Sequence, residues 1–219
     1  MFANSRQIQT TQTAPHPRLR EIVHKHAAAP YLRRPSDAGR KALVDIADQL
    51  AQAPFILDAG CGTGSSTFAL ARQFPERLVL GVDKSIARLA IGLHLIDIGA
   101  APANAILLHC ELVDFWQLAS AAGLRCERQF LFYPNPWPKP EHLMRRWHAH
   151  PVFPALLALG GVIQLRTNWR IYAEEFTEAL QAVGIRSQCQ EFNPDEPLTP
   201  FERKYAASGH VLWRVQGTI

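Results

Sequence analysis

Phe55-Ile56-Leu57-Asp58-Ala59-Gly60-Cys61-Gly62-Thr63-Gly64-Ser65 is the stretch that decides the fold. A short apolar run, Phe55–Ala59, leads into glycines at 60, 62 and 64, and an amphipathic segment follows over 64–74. That order predicts a buried strand, a tight turn and a helix. The helix would present its N-terminal N–H groups to whatever the turn holds. The spacing is GxGxG rather than the dinucleotide GxGxxG, with Ser65 where the later glycine would stand, and the absence of a GK[ST] sequence excludes a P-loop. Asp58, opening the turn, suits a ligand that carries an ammonium group. Asp83, after the next apolar run, can accept both hydroxyls of a ribose.

Outward from this turn, short apolar runs alternate with amphipathic segments. Strands are expected at Phe55–Ala59, Arg77–Val82, Ala105–His109, Gln129–Tyr133 and Gly161–Arg166, and helices over 64–74, 85–99, 112–122, 140–158 and 170–182. Such alternation implies parallel βαβ units with right-handed crossovers. Two more strands, near Arg186–Glu191 and His210–Val215, follow a helix and then each other. Before Phe55, residues 16–28 and 37–52 read as helices; in the second, Ala42, Leu43, Ile46, Ala47 and Leu50 recur at helical spacing, and Ser36 or Asp37 can cap its start. The expected organisation is a basic, helical N-terminal arm over 1–54 and one α/β domain over 55–219.

With 219 residues, 47% hydrophobic and 19% charged, the chain is globular in composition, which excludes disordered, collagen-like and coiled-coil proteins. The longest apolar stretch, Val152–Leu165, is too short to span a bilayer. The polar start MFANSRQIQTTQT lacks the apolar segment of a secretory signal, so a cytoplasmic protein without a membrane partner is expected. Cys61, Cys110, Cys126 and Cys189 form no CxxC pair and fit a reducing compartment. The His24/His26 and His148/His150 pairs lack further ligands at metal spacing, so no metal is expected and these histidines read as surface or RNA-facing. The net charge is +4, yet residues 1–41 hold eight Lys/Arg against Glu21 and Asp37, giving that stretch +6 and the remainder −2. That asymmetry fits a polyanionic partner, and equally a solubilising tail.

Three stretches and a Gly-His pair late in the chain carry chemistry. Tyr133-Pro134-Asn135-Pro136-Trp137-Pro138-Lys139 follows the fourth strand, where α/β sheets place their ligands, and three prolines around one Asn stiffen it. Trp137 offers a stacking face and Lys139 a phosphate or base contact. Glu141, His142, Arg145 and Arg146 come next; Glu141 and Arg145 also suit an ordinary i,i+4 ion pair. Gln164-Leu165-Arg166-Thr167-Asn168-Trp169-Arg170-Ile171-Tyr172 ends the fifth strand, and Asn168 would serve as a helix N-cap there. Pro197-Leu198-Thr199-Pro200-Phe201-Glu202-Arg203-Lys204-Tyr205 and Gly209-His210 close the series.

The glycine turn with Asp58 and Asp83 resembles class I S-adenosylmethionine (SAM)-dependent methyltransferases. That implies a Rossmann-like, seven-stranded, mostly parallel sheet with helices on both faces and an antiparallel ending. The PxPWxK loop with its His and Arg-Arg, the Thr-x-Trp-x-x-Tyr segment and the Thr-x-Phe-Glu segment together resemble the bacterial tRNA (guanine-N7)-methyltransferase family, from about Phe55 to Trp213. The resemblance implies SAM as methyl donor, tRNA as partner and N7 of a variable-loop guanosine (position 46 of the tRNA) as acceptor. It implies SAM contacts at Asp58, Gly60, Gly62, Gly64, Asp83, Glu111 and Asn135, with Asn135 also catalytic. Glu111 reads equally as a solvated carboxylate. Lys139, Asn168, Thr199, Phe201 and Glu202 would meet the guanosine, and His142, Arg145 and Arg146 the RNA. The family usually has Asp where Asn135 and Asn168 stand and Arg where Glu141 stands, and its arginine-rich N-terminal text is absent here. Glu202 would then be the surviving carboxylate near the base. The competing readings are a methyltransferase of this fold acting on an amino group or other acceptor, and a SAM- or RNA-binding protein without catalysis.

Overall fold

The computed structural model describes residues 5–219. Its elements run α1 (Leu19–Ala27), α2 (Asp37–Val44), α3 (Ala47–Ala51), β1 (Phe55–Ala59), α4 (Ser65–Gln73), β2 (Val79–Asp83), α5 (Ile86–Asp97), β3 (Ala105–His109), α6 (Leu112–Ala121) and β4 (Cys126–Phe132). Then come two 3-10 turns (Pro140–Arg145 and Trp147–Ala149), α7 (Phe153–Ala158), β5 (Val162–Thr167), α8 (Arg170–Ala182), β6 (Ser187–Phe192), α9 (Pro200–Ala207) and β7 (Leu212–Thr218). The strands form one seven-stranded sheet in the order β3-β2-β1-β4-β5-β7-β6. β1 pairs in parallel with β2 and β4, β2 in parallel with β3, and β6 antiparallel with β7, so the sheet is mixed and the fold α/β. Two compact units make up the chain: Arg33–Phe132 with Ala158–Val162, and the residues up to Leu32 with Tyr133–Leu157 and Ile163–Ile219.

In the first unit every residue of β1 and β2 is buried, as continuous apolar runs covered on both faces require. The register aligns Ala59 with Val82, and Val82 with Leu108. The glycine turn, Asp83 and the segment after β3 therefore all leave the sheet at the same edge. The amphipathic stretch over 37–52 is two short helices rather than one, with Ser36 capping the first by accepting from Gly39 N. Asp114 on α6 explains that placement. Its buried carboxylate accepts from the Ser36 N–H and hydroxyl and pairs with Arg33 at 3.2 Å.

The second unit departs most from expectation. Residues 140–158 do not form one helix. Arg146 and His150 take extended backbone, ψ 137° and 144°, and His150 precedes Pro151, which disfavours the helical region for its neighbour. The unit is instead organised around Glu175, buried on α8. One carboxylate oxygen accepts from Gln12 Nε2 at 2.6 Å and His16 N at 3.0 Å. The other accepts from the Arg146 guanidinium and from His148 Nε2. Arg146 and Glu175 are both 0% exposed. Residues 5–16 are thus a docked segment rather than a free tail: Thr10 Oγ1 also donates to the Pro138 carbonyl at 2.6 Å.

Burial alone would push the Glu175 carboxyl up, but His148 and Arg146 outweigh it and hold it at about 2. Burial holds the His148 imidazole below its ordinary 6.5, against the pull of Glu175. Both groups bind protons more readily in the unfolded chain, so both contribute stability that is lost as pH falls. The loss should begin below about 6.5 with His148 and continue from about 4.5 towards 2 with Glu175. Glu175→Ala leaves a buried guanidinium without its counter-charge and should cost about 3–5 kcal/mol. Denaturant titrations between pH 7 and 4 should show wild-type stability falling with acid and the Glu175→Ala chain already low at pH 7. A wild-type stability flat across that range would contradict the assignment.

Candidate functional site

At the carboxyl edge of β1, Gly60, Gly62 and Gly64 all adopt positive φ, 83°, 59° and 80°. Gly64 is doubly constrained: a Cβ there would lie 2.9 Å from Leu107 Cδ1. Gly62 faces the other way, and a Cβ would meet no atom within 4 Å, so the turn has an open side from which a ligand can approach the backbone. Asp83 shapes the turn. One of its oxygens accepts from Gly62 N at 2.9 Å and the other from Ser85 N at 2.8 Å. Each oxygen keeps acceptor capacity for a hydroxyl. Asp58 is 1% exposed, and the Ser66 and Thr67 hydroxyls both donate to its Oδ2, at 2.6 and 2.7 Å. Burial pushes its carboxyl up to about 6 despite those two bonds. A buried carboxyl in that state is stabilised by a cation, so these residues fit a ligand with an ammonium group and a ribose. Glu111, just before α6, is half-buried and pairs with Lys84 at 3.5 Å. Cys61 lies inside the turn, buried, with its thiol pushed well up by that burial, so it is no nucleophile.

The second unit carries the proline loop. Tyr133 and Trp137, which flank Pro134-Asn135-Pro136, have positive φ of 50° and 45°, a conformation that costs a non-glycine residue about 1–2 kcal/mol. Each is held by a buried charged pair. The Tyr133 hydroxyl donates to Glu202 at 2.8 Å, and its N–H donates to the Arg166 carbonyl. The Trp137 carbonyl accepts from Arg146 Nε and Nη2, at 3.2 and 3.1 Å. Between them Asn135 is exposed, and its Oδ1 accepts from Trp137 N at 3.3 Å. The Arg145 guanidinium covers one face of Trp137, 4.7 Å from the ring centroid, and His142 meets that ring edge-on. Lys139 is exposed, and its carbonyl accepts from Arg146.

Arg146 is therefore withdrawn from the expected RNA contacts: it is fully buried, and its N–H groups go to Glu175, Gln12 and two loop carbonyls. Its neighbour Arg145 is the exposed member of the pair. Glu202 changes meaning as well. Its carboxylate is 0% exposed and accepts from Tyr133, from Arg166 through both oxygens and from Leu198 N. Arg166 neutralises it, so it anchors the loop's first residue instead of offering a free negative charge.

Asn168, Thr199, Phe201 and Glu202 lie on one connected network. Asn168 bonds His210, whose ring stacks on Tyr205 at 5.3 Å. Tyr205 packs against Tyr133 and against Phe201, which is 51% exposed. Asn168 does not cap α8, whose N-cap position is Trp169. Thr199 instead caps α9, accepting from Glu202 N at 2.9 Å, with Pro200 at the first helical position. That helix is absent from the expected elements, although Thr199-Pro200-Phe201-Glu202 has the S/T-x-x-E form of a capping box. Gln12 and Glu175 are likewise contributors to this unit that the sequence reading does not single out.

The chain has relatives among known proteins in both sequence and fold. Residues 52–215 match a family model described as "Putative methyltransferase". The chain is 32% identical over 172 residues to a tRNA (guanine-N(7)-)-methyltransferase of Ectopseudomonas mendocina, covering 74% of this chain and 71% of that one. A protein of that name from Pseudomonas aeruginosa is 32% identical over 175 residues, 74% and 69% of the two chains. Another from Shewanella baltica is 31% identical over 173 residues, 74% and 71% of the two chains. Among solved structures, the 16S rRNA methyltransferase KamB superposes with a TM-score of 0.58 at 19% identity, covering 85% of this chain and 95% of that one. The antibiotic-resistance methyltransferase Kmr gives 0.56 at 17%, covering 80% and 91%. These two likenesses establish the fold, that of class I SAM-dependent methyltransferases. With its glycine turn, its proline loop and relatives matched across three quarters of its length, the chain belongs to the tRNA (guanine-N7)-methyltransferase family.

Proposed function

We propose that this chain is a SAM-dependent enzyme that methylates N7 of a guanosine in tRNA, in the cytoplasm, with the variable-loop guanosine as its target. The observation that carries the reading is the similarity to curated tRNA (guanine-N(7)-)-methyltransferases over 74% of the chain, beside a methyltransferase family match over residues 52–215, which include the glycine turn, the proline loop and the Thr-x-Phe-Glu segment. An amino-group acceptor is not favoured: Asn135-Pro136-Trp137 has a single proline, and Asn135 Oδ1 is engaged by Trp137 N.

Bound SAM supplies an electrophilic methyl on a sulfonium. Guanine N7 has an in-plane lone pair and no proton, so the chain needs no general base. Its task is alignment, which is worth several kcal/mol. In this reading Asp58 meets the ammonium group, Asp83 the ribose and Glu111 the adenine side of the donor. Asn135, Lys139, Asn168, Thr199 and Phe201 orient the guanosine, with His142 and Arg145 on the RNA. Positive charge develops on the purine, and a carboxylate beside it would favour the transition state. Asn135 offers only a dipole, and Glu202 is already neutralised by Arg166.

Because Asp58 must be ionised to pair with a cation, SAM affinity should fall as pH drops through about 6. Below that point the dissociation constant should rise about tenfold per pH unit. Asp58→Asn should bind SAM more weakly at pH 7.5 and lose that dependence. Calorimetry between pH 7.5 and 5 checks it; a wild-type affinity independent of pH would remove Asp58 from the donor site.

Function is tested by nucleoside analysis of tRNA from a strain lacking the gene. We expect 7-methylguanosine to fall and to return on complementation with the wild type. Asn135→Asp should restore it equally well or faster, since a carboxylate keeps the bond to Trp137 N and adds charge stabilisation, whereas Asn135→Ala should be at least tenfold slower in purified form. Unchanged 7-methylguanosine in the deletion strain would refute the proposal.

A further inference from the structure

Asn168 sits between β5 and α8 with its Nδ2 3.0 Å from His210 Nδ1. On the far side of that ring, His210 Nε2 lies 2.9 Å from the carbonyl oxygen of Ser5. A carbonyl oxygen can only accept, so Nε2 carries the ring proton. The Asn168 nitrogen that faces Nδ1 can only donate, so Nδ1 is bare and accepts there. The amide oxygen is then turned to the other side.

Every member of this chain of contacts is held in place. Ser5 N donates to Ser208 Oγ at 3.0 Å. The His210 N–H bonds the Tyr205 carbonyl at 3.0 Å, and the imidazole lies nearly parallel to the Tyr205 ring, at 20°. Tyr205 in turn leans on Tyr133 and Phe201. Among the described residues no carboxylate forms an ion pair with His210.

We propose that His210, set by the Ser5 carbonyl, is a positioning residue that fixes the amide of Asn168 so that an acceptor oxygen, not an amine, faces the acceptor base. This rests on the reading that Asn168 meets that base. An oxygen there matches the N1–H and 2-amino donors on the Watson–Crick edge of a guanine. An amine would match the bare N1 of an adenine instead. The docked N-terminal segment thereby contributes to base selection without touching RNA. A carboxylate in place of the amide would set an acceptor against the bare Nδ1 and draw a second proton onto the ring, so only an amide is oriented by His210 in this way.

The test is a pair of backgrounds. His210→Phe keeps the stack on Tyr205 and removes both ring hydrogen bonds. On unmodified tRNA transcript it should lower kcat/KM about three- to tenfold, the worth of one neutral hydrogen bond, with SAM affinity unchanged. In an Asn168→Ala chain the same substitution should change kcat/KM less than about twofold, since the amide that the ring sets is already gone. His210→Asn, which keeps a polar atom near the place of Nδ1, should retain more activity than His210→Phe and serves where the Phe variant folds poorly. Equal fold losses in the wild-type and Asn168→Ala backgrounds would make His210 a purely structural residue and overturn the proposal. Nitrogen-15 NMR of the imidazole decides independently of activity: a neutral ring protonated at Nε2 is expected, and one protonated at Nδ1 overturns it. A wild type that transfers no methyl to tRNA guanine would instead refute the function proposed above, and the ring tautomer would still decide the positioning.

Discussion

Glu175 is a buried carboxylate on which otherwise separate stretches converge. It takes donors from the N-terminal segment through Gln12 and His16, from the residue after the first 3-10 turn through Arg146, and from the second 3-10 turn through His148. Arg146, fixed by that carboxylate, holds the carbonyls of Trp137 and Lys139. A buried pair of this kind stabilises little relative to an apolar core, but losing either member is expensive. What it supplies here is geometry: the proline loop keeps a non-glycine residue at positive φ because Arg146 holds the carbonyl of that residue. Glu202 does the same at the loop's other end, through Tyr133 and Arg166.

Each unit has its own chemical character. The first has an open glycine turn beside two buried aspartates, a setting for a charged, hydroxylated donor. The second has the exposed Asn135 and Phe201 and the half-buried Asn168, set on a polar scaffold. Methylation at N7 asks for placement and not for proton transfer, so groups that are held rather than groups that titrate are what such an enzyme needs. In the proposed reading Asn135 and Asn168 meet that demand, each with a dipole rather than a charge.

Legibility in the sequence follows the range of the interactions. β1 and β3 fall on their expected residues, and α8 matches the helix expected over 170–182, because a buried parallel strand or a long helix writes its period into adjacent residues. The glycine turn is readable for the same reason. Residues 140–158 read as a helix because apolar spacing outweighs Pro140, Pro151 and Pro154 in that reading. α9 escapes it although Thr199 and Glu202 stand at capping-box spacing. The role of Glu175 cannot be read at all. In Ala-Glu-Glu-Phe-Thr-Glu it looks like one solvated carboxylate among three, and its partners stand 163, 159, 29 and 27 residues away. Arg146 beside Arg145 looks like a basic patch for RNA, yet only one of the two faces solvent.

The most direct measurement gives the purified chain an unmodified tRNA transcript and methyl-labelled SAM, then locates the label by nucleoside mass spectrometry and by borohydride–aniline scission of the RNA. The account predicts label in 7-methylguanosine alone, with scission at one guanosine of the variable loop. Label in a methylated adenosine or an exocyclic amine, or none with SAM bound normally, would contradict it.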